Sequence, residues 1–194
     1  MVFCLKISID MNNSSAYCTK VLSLTEDNPH RLYHDKVYGR PVEEDQQLFE
    51  QLILEINQAG LSWNTIINKL ENFRKAYDNF DFEKIAEYGD SEKEVLMSNP
   101  GIIRNKAKIE AAVHNAQVVV ELIREFGSFK KWLDHHHPLT HGEWTKLFKK
   151  TFRFTGGEIV SEFLMSCGYL PGAHSEDCPI YTDVLNSNPP WVIR

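Results

Sequence analysis

Three parts of the chain carry side chains that could do chemistry together: Tyr33-His34-Asp35, Glu55, and the run Gln58-Ala59-Gly60-Leu61-Ser62-Trp63. A Tyr and a Trp offer faces on which a flat aromatic ligand can stack. A carboxylate accepts hydrogen bonds from a ring N–H or an exocyclic amine, and its charge favours a cationic ligand. Glu55 falls at helical period with Leu48, Leu52 and Ala59, beside Phe49, Ile53 and Ile56, on a face that asks for burial. A buried carboxylate without a partner is costly, so it needs one or has work to do. Gly60 lets the chain turn tightly, which brings Trp63 to the start of a next helix close to Glu55. The plainer alternatives are Trp63 as core filler, Tyr33 as a surface-packed aromatic, and Glu55 as a solvated residue if the face is off by one position.

A second set concerns metal. His174 and Cys178 form an HxxxC pair. Eight His and four Cys in 194 residues give ~0.16 such pairs by chance, so the pair alone is weak. Adding Cys18 and His34 completes a Cys2His2 set suited to a closed tetrahedral zinc. Such a site would staple the N-terminal segment to the C-terminal one, where chains otherwise fray. Cys4 competes with Cys18 for the first position, and four unrelated residues are the alternative. Cys167 suggests nothing beyond packing. His135-His136-His137 precedes Pro138 and reads as a helix-end turn rather than a metal site.

The elements that must hold these groups read as helices. One runs from Pro41, with Glu43, Glu44 and Asp45 at the positive end of its dipole and Gly60 as its stop. A second spans 62–77, with Trp63, Ile66, Ile67, Leu70 and Phe73 at 3–4 spacing. Asp81 and Ser91 read as N-caps of short helices, and Ser91 with Glu94 as a capping box. Asn105 opens the longest helix, Ile109, Ala112, Val113, Ala116, Val120 and Ile123 recur along it, and Gly127 closes it. Further helices fit 128–134, 142–152 and 156–168. No segment alternates like a strand, so the fold class is all-α. Residues 1–194 form one domain, with 1–17 as an N-terminal extension and 179–194 as a loose, peripheral tail.

The turn Pro100-Gly101-Ile102-Ile103-Arg104 precedes the Asn105 helix. A short Gly turn there leaves amide N–H groups unpaired at a helix N-terminus, where the dipole helps them hold a phosphate. The alternative is a plain connection with Ile102 and Ile103 in the core. Net charge is −6, which argues weakly against a nucleic-acid partner. Basic residues do cluster at Arg104, Lys106 and Lys108, and at Lys146, Lys149, Lys150 and Arg153, although charged helix faces are usually just solvated. Val2 to Ile9, broken by Lys6, is too short for a signal peptide, and no run approaches a membrane span. Four unevenly spaced Cys do not make a secreted disulfide framework. A cytoplasmic monomer with no membrane contact is the expectation.

Tyr33-His34-Asp35 through Tyr38-Gly39, the QAGLSW run, Pro100 to Asn105, and Phe152-Arg153-Phe154-Thr155-Gly156 stand in the order in which they occur in the 3-methyladenine DNA glycosylase I family. The chain resembles that family from Cys18 to Cys178. The resemblance implies a helix-hairpin-helix glycosylase bundle and excision of 3-methyladenine from alkylated double-stranded DNA. Glu55 would be the catalytic carboxylate, with Tyr33, Trp63 and Tyr38 around an extruded base. Gly101, Ile103, Arg104 and Asn105 would form the DNA-binding hairpin. Some family members hold zinc with a Cys near the N-terminus, the His of the YHD run and a C-terminal HxxxC, which supports Cys18, His34, His174 and Cys178. The gap from Cys18 to His34 is longer than that pattern leads one to expect. The family does without the catalytic Asp of related glycosylases, and no lysine is implied as a nucleophile, so no strand-cleaving step is expected. Two departures bear on substrate choice. Tyr38 stands where the family usually has Trp, and Gly157-Glu158 replaces a small hydroxylated pair, which puts a carboxylate near the pocket. Two rival readings are a silent helix-hairpin-helix module that binds damaged DNA without cutting, and a zinc-stapled helical domain with a non-DNA partner.

Overall fold

The structure, a computed structural model, describes residues 14–193. Cys4 lies outside the described residues. Among these the regular structure is entirely helical: α1 (Ser14–Leu22), α2 (Pro29–Lys36), α3 (Asp45–Gln58), α4 (Trp63–Ile67), α5 (Leu70–Ala76), α6 (Phe82–Ala86), α7 (Asp90–Ser98), α8 (Lys106–Phe126), α9 (Phe129–His136), α10 (His141–Thr151), α11 (Gly157–Ser166) and α12 (Tyr181–Asn186). The all-α expectation holds.

Helix α3 is the centre. Every residue from Gln51 to Asn57 is buried, and α4, α8, α9 and α11 pack around it. Amphipathic period therefore understates its enclosure: it has no solvent face over two turns. It begins at Asp45, not at Pro41; Glu44 is already extended. The reason is tertiary. The Asp45 carboxylate accepts from the amides of Phe129 and Lys130 at 3.0 and 2.9 Å and so caps α9 together with Ser128. At the other end, Lys108 Nζ donates to Asn57 O (2.9 Å) and Ala59 O (2.7 Å). That ammonium satisfies carbonyls the helix end leaves open, and Gly60, with φ 77°, then turns the chain. Lys108 is accordingly buried and is not part of an exposed basic cluster; Arg104 and Lys106 are exposed.

Helix α8 has the expected ends: Asn105 accepts from Lys108 N, and Gly127 at φ 90° closes it. Other expectations need correction. The helix over 62–77 is two, α4 and α5, separated at Asn68 and Lys69; Lys69 Nζ reaches Pro100 O and Gly101 O at 3.0 and 3.1 Å. Asp81 does cap α6, but Ser91 caps nothing. Helix α7 has its N-cap at Gly89 and starts at Asp90, two residues earlier than a Ser91 cap would place it, and Glu92, not Glu94, returns to the Gly89 amide at 2.8 Å. A glycine has no side chain to complete the box, so only this half of it exists. The expected loose tail is packed: it carries α12, buries Val184 and bonds Trp191 N to Gly168 O at 3.1 Å. Tyr17, placed in the N-terminal extension, is also core. Helices α1 and α2 had no clear apolar period to announce them. Asn28 caps α2 through His30 N, with Pro29 in its first turn.

Candidate active site

Glu55 sits on α3 with 3% of its surface exposed. Burial pushes its carboxyl well above the usual range, and the Glu162 charge adds to the shift; among the described residues no cation or hydrogen-bond donor opposes them. Around it stands a row of rings. Trp63, at the N-terminus of α4, is 2% exposed, and its ring centroid lies 4.8 Å from that of Tyr33. Tyr33 is 5.7 Å from Tyr38, and Tyr38 is 6.0 Å from Tyr17 on α1. Ser62 fixes the start of α4 by accepting from Thr65 N at 3.3 Å, which sets Trp63 against Tyr33. The expected trio of Glu55, Tyr33 and Trp63 is therefore assembled, with Tyr38 beside it.

Two polar atoms in this row are unsatisfied. The Tyr17 hydroxyl and the Trp63 indole N–H face each other without meeting hydrogen-bond geometry, and among the described residues neither has a partner. A buried donor left open costs roughly 1–3 kcal/mol, and such groups concentrate where a ligand completes them. Tyr17 and Glu162 also stand beside Glu55 and the rings, and neither was singled out by the sequence. Tyr17 adjoins Cys18, so bringing Cys18 to His34 also brings Tyr17 toward Tyr33; that adjacency was the available signal. Glu162 is the one charged residue in the run 159–167, whose other members are apolar apart from Ser161 and Ser166, the same kind of signal that singled out Glu55. Glu158, suggested near the pocket, is exposed and reaches the site only by raising the pKa of Glu162.

Cys18, His34, His174 and Cys178 converge in one buried cluster, their ligand atoms all within 4.8 Å of one another. His34 Nε2 lies 3.4 Å from Cys18 Sγ and 3.6 Å from Cys178 Sγ; His174 Nδ1 lies 3.9 and 3.7 Å from the same atoms. A tetrahedral zinc, with Zn–S about 2.3 Å and Zn–N about 2.0–2.1 Å, requires N···S edges of about 3.5 Å. The four residues can hold a metal ion. The far nitrogens are also engaged, His34 Nδ1 with Asp35 Oδ1 (2.7 Å) and His174 Nε2 with Tyr38 O (2.9 Å), as outer partners that orient ligating imidazoles. Burial raises the Cys18 thiol, but hydrogen bonds with His174 and His34 outweigh it and bring the group down to about 5, toward the thiolate a metal binds. Gly39 is required here: φ is 80°, and a Cβ would come within 2.7 Å of Ala173 Cβ and 3.2 Å of the His174 ring.

The hairpin turn is partly as expected. The Gly101 amide is not free: it donates to Asn99 Oδ1 at 2.8 Å. The amide of Asn105 donates to Ile103 O. Among the described residues the amides of Ile103, Arg104, Lys106 and Ala107 meet no protein acceptor, and they are the open donors at and before the N-terminus of α8. Ile102 is core, Ile103 half-buried, and Arg104 and Asn105 exposed. Leu61, at the turn between α3 and α4, leaves 42% of its apolar side chain exposed. The loop 152–156 is pinned by Asn115, which bonds both the amide and the carbonyl of Arg153.

Comparison with known proteins gives a consistent result. A family model described as methyladenine glycosylase matches residues 23–144. The chain is 36% identical to the DNA-3-methyladenine glycosylase of Haemophilus influenzae over 169 residues, 77% of this chain and 91% of that protein. Among solved structures it is similar to 3-methyladenine DNA glycosylase I of Staphylococcus aureus, with a TM-score of 0.72 and 32% identity over 80% of this chain and 93% of that one. A Tyr-to-Phe variant of 3-methyladenine DNA glycosylase I in complex with 3-methyladenine gives a TM-score of 0.72 and 31% identity, covering 80% of this chain and 94% of that one.

The burial of Glu55 has a measurable consequence. Its folded pKa lies above the unfolded value, so well below the carboxylate range both states are protonated and the group costs nothing. As pH rises, the unfolded chain ionises first and the folded state loses stability until the raised pKa is passed. Glu55→Gln should therefore raise the melting temperature at neutral pH, by about 2–4 °C per kcal/mol relieved. The gain should vanish in acid. Thermal unfolding followed against pH checks this; a gap independent of pH would show that burial does not disfavour the charge.

Proposed function

The chain belongs to the methyladenine glycosylase family, and from that premise we propose that it hydrolyses the N-glycosidic bond of 3-methyladenine in alkylated DNA, turning the base out of the duplex and leaving the strand uncut. The observation that carries this reading is the buried, uncompensated carboxylate of Glu55 against the Tyr33–Trp63 pair. An N3-alkylated adenine in DNA is cationic and departs as a neutral base, so little acid catalysis is needed. The residues have to bind the extruded cation and reject neutral adenine. Glu55 supplies the charge and accepts hydrogen bonds from the base edge, and Trp63, Tyr33 and Tyr38 supply faces and walls. The open Trp63 N–H and Tyr17 hydroxyl are further donors for a bound base. Exposed Leu61 is suited to hold the duplex open as an apolar wedge. Lys108, the lysine under the 57–60 turn, is committed to two carbonyls, in keeping with a monofunctional enzyme.

DNA is held at the α8 turn through the amides of Ile103, Arg104, Lys106 and Ala107, with Gly101 and Asn105 shaping it. Few backbone donors take the place of many lysines, which reconciles the net charge of −6 with a polyanionic partner. Cys18, His34, His174 and Cys178 hold zinc. With four protein ligands its position is closed to substrate, so the ion cross-links α1, α2 and the segment after α11. The persistence of Glu55 and Trp63 favours the enzyme over a silent binding module, which needs neither.

Three measurements test this. Freshly purified protein should contain about one zinc per chain, and Cys178→Ser should lose it and melt at a lower temperature. Absence of metal, with stability unchanged in that variant, would remove the zinc assignment. On DNA methylated in vitro, Glu55→Gln should slow release of 3-methyladenine by about tenfold or more while leaving non-specific DNA binding nearly intact. Trp63→Ala should weaken capture of the base by roughly 1–3 kcal/mol. Unchanged release in both variants would place the pocket elsewhere, and lesion binding without release by the parent protein would favour the silent module. Arg104→Ala should reduce affinity alike for all duplexes and lower the salt slope by about one. Gly101→Val should do the same more severely, since even a Cβ there meets Asn99 Oδ1 at 2.9 Å and Asn72 Cβ at 3.2 Å. Unaltered binding would mean DNA is held on another face.

A further inference from the structure

Tyr38 departs from the aromatic usual in this family by carrying a hydroxyl into a buried position. A buried phenol needs an acceptor, and the acceptor is Glu162 Oε2 on α11, 3.2 Å away. Glu162 is half-buried, and among the described residues no ion pair involves it. Its charge acts on Glu55, and both charges act on Tyr33 and Tyr38. Two carboxylates from two helices, α3 and α11, therefore share one aromatic enclosure.

Resting on the function proposed above, we propose that Glu162 is a second carboxylate of the base site, a positioning and specificity residue that fixes the aromatic wall through the Tyr38 hydroxyl and deepens the preference for a positively charged base. A single carboxylate at Glu55 attracts a cation. A second one nearby raises the cost of leaving the enclosure without one, because like charges that share a site resist joint ionisation until a cation arrives. A neutral base gains nothing from either charge, so the pair widens the gap between alkylated and ordinary adenine. The phenol and the acid form a matched unit: each would leave the other's buried polar group open if replaced alone.

The groups facing Glu162 are Tyr38, Glu55, Tyr33 and, one turn earlier on its own helix, Glu158. Burial holds Glu162 up at about 7, the Tyr38 hydrogen bond pulls it down and Glu158 pushes it up. The Glu162 charge in turn holds Glu55 up. Excision of 3-methyladenine should then rise with pH in two steps, one of them near neutrality.

The test is single-turnover release of 3-methyladenine from methylated duplex DNA between about pH 5.5 and 8.5, for the parent protein, Glu162→Gln and Tyr38→Phe. In Glu162→Gln a single step should remain, that of Glu55, displaced to lower pH because the repulsion is gone. Its rate on the alkaline side should fall on the order of tenfold. In Tyr38→Phe the step near neutrality should persist but move to higher pH, because the donor that stabilised the carboxylate is lost. A merely structural Glu162 would change the melting temperature of both variants and leave the profile in place. An unmoved profile in either variant overturns the proposal, and Tyr38→Phe decides it if Glu162→Gln does not fold. A parent protein that releases no 3-methyladenine at any pH overturns it together with the function it rests on, whereas parent release with unmoved variant profiles overturns the role of Glu162 alone.

Discussion

The structure is organised around a carboxylate that ought not to be where it is. Glu55 lies on the most enclosed stretch of α3, with burial and a second acid both opposing its charge. Leaving such a group uncompensated costs free energy that the rest of the fold must supply. The surroundings are built to hold it in place. Asp45 ties the start of α3 to α9, Lys108 closes its end, and α11 packs along its length. A charge held this firmly cannot relax by swinging into water. In the proposed reaction that rigidity turns a stability cost into affinity for a cationic base.

The Cys/His cluster serves the same end by a different route. Tyr33 and Tyr38 belong to a short helix and its exit turn, elements that seldom hold rings rigidly by themselves. His34 lies between them in sequence and is bound into the cluster, while His174 reaches back to the Tyr38 carbonyl. An ion held by Cys18, His34, His174 and Cys178 would act on the aromatic wall through these covalent and hydrogen-bonded neighbours, without touching the base. Cys18 and Tyr17 are adjacent, so the residues that close the Cys/His cluster also bring the fourth ring and an open hydroxyl to the proposed base site.

Local signals were legible in the sequence wherever the physics is local. The ends of α8 follow from Asn105 and Gly127, because a cap is made within one turn of the chain. Asp81 was found for the same reason. The start of α3 was misplaced because Pro41, Glu43 and Glu44 mimic a first turn, while the acid that begins the helix, Asp45, spends its carboxylate on another helix. Ser91 misled similarly: Glu92 and the Gly89 amide make the cap, and glycine announces nothing. The C-terminal segment read as loose because its burial depends on contacts such as Trp191 with Gly168, which leave no period behind.

Residue types and their order determined the chemistry in prospect: Glu55 with Tyr33 and Trp63 as a cation-and-ring site, and an HxxxC pair awaiting two more ligands. Those inferences needed only helical period, turn-forming Gly60 and the order of the motifs. Tertiary structure alone decided which acids and rings share the enclosure. Glu162 is 107 residues from Glu55 in the chain, Lys108 left an apparent basic cluster to cap α3, and Tyr17 left an apparent extension to join the wall. Charge and hydrogen bonding act over a few ångströms of space whatever the separation in sequence, so these partnerships existed only once α1, α3, α8 and α11 had packed together.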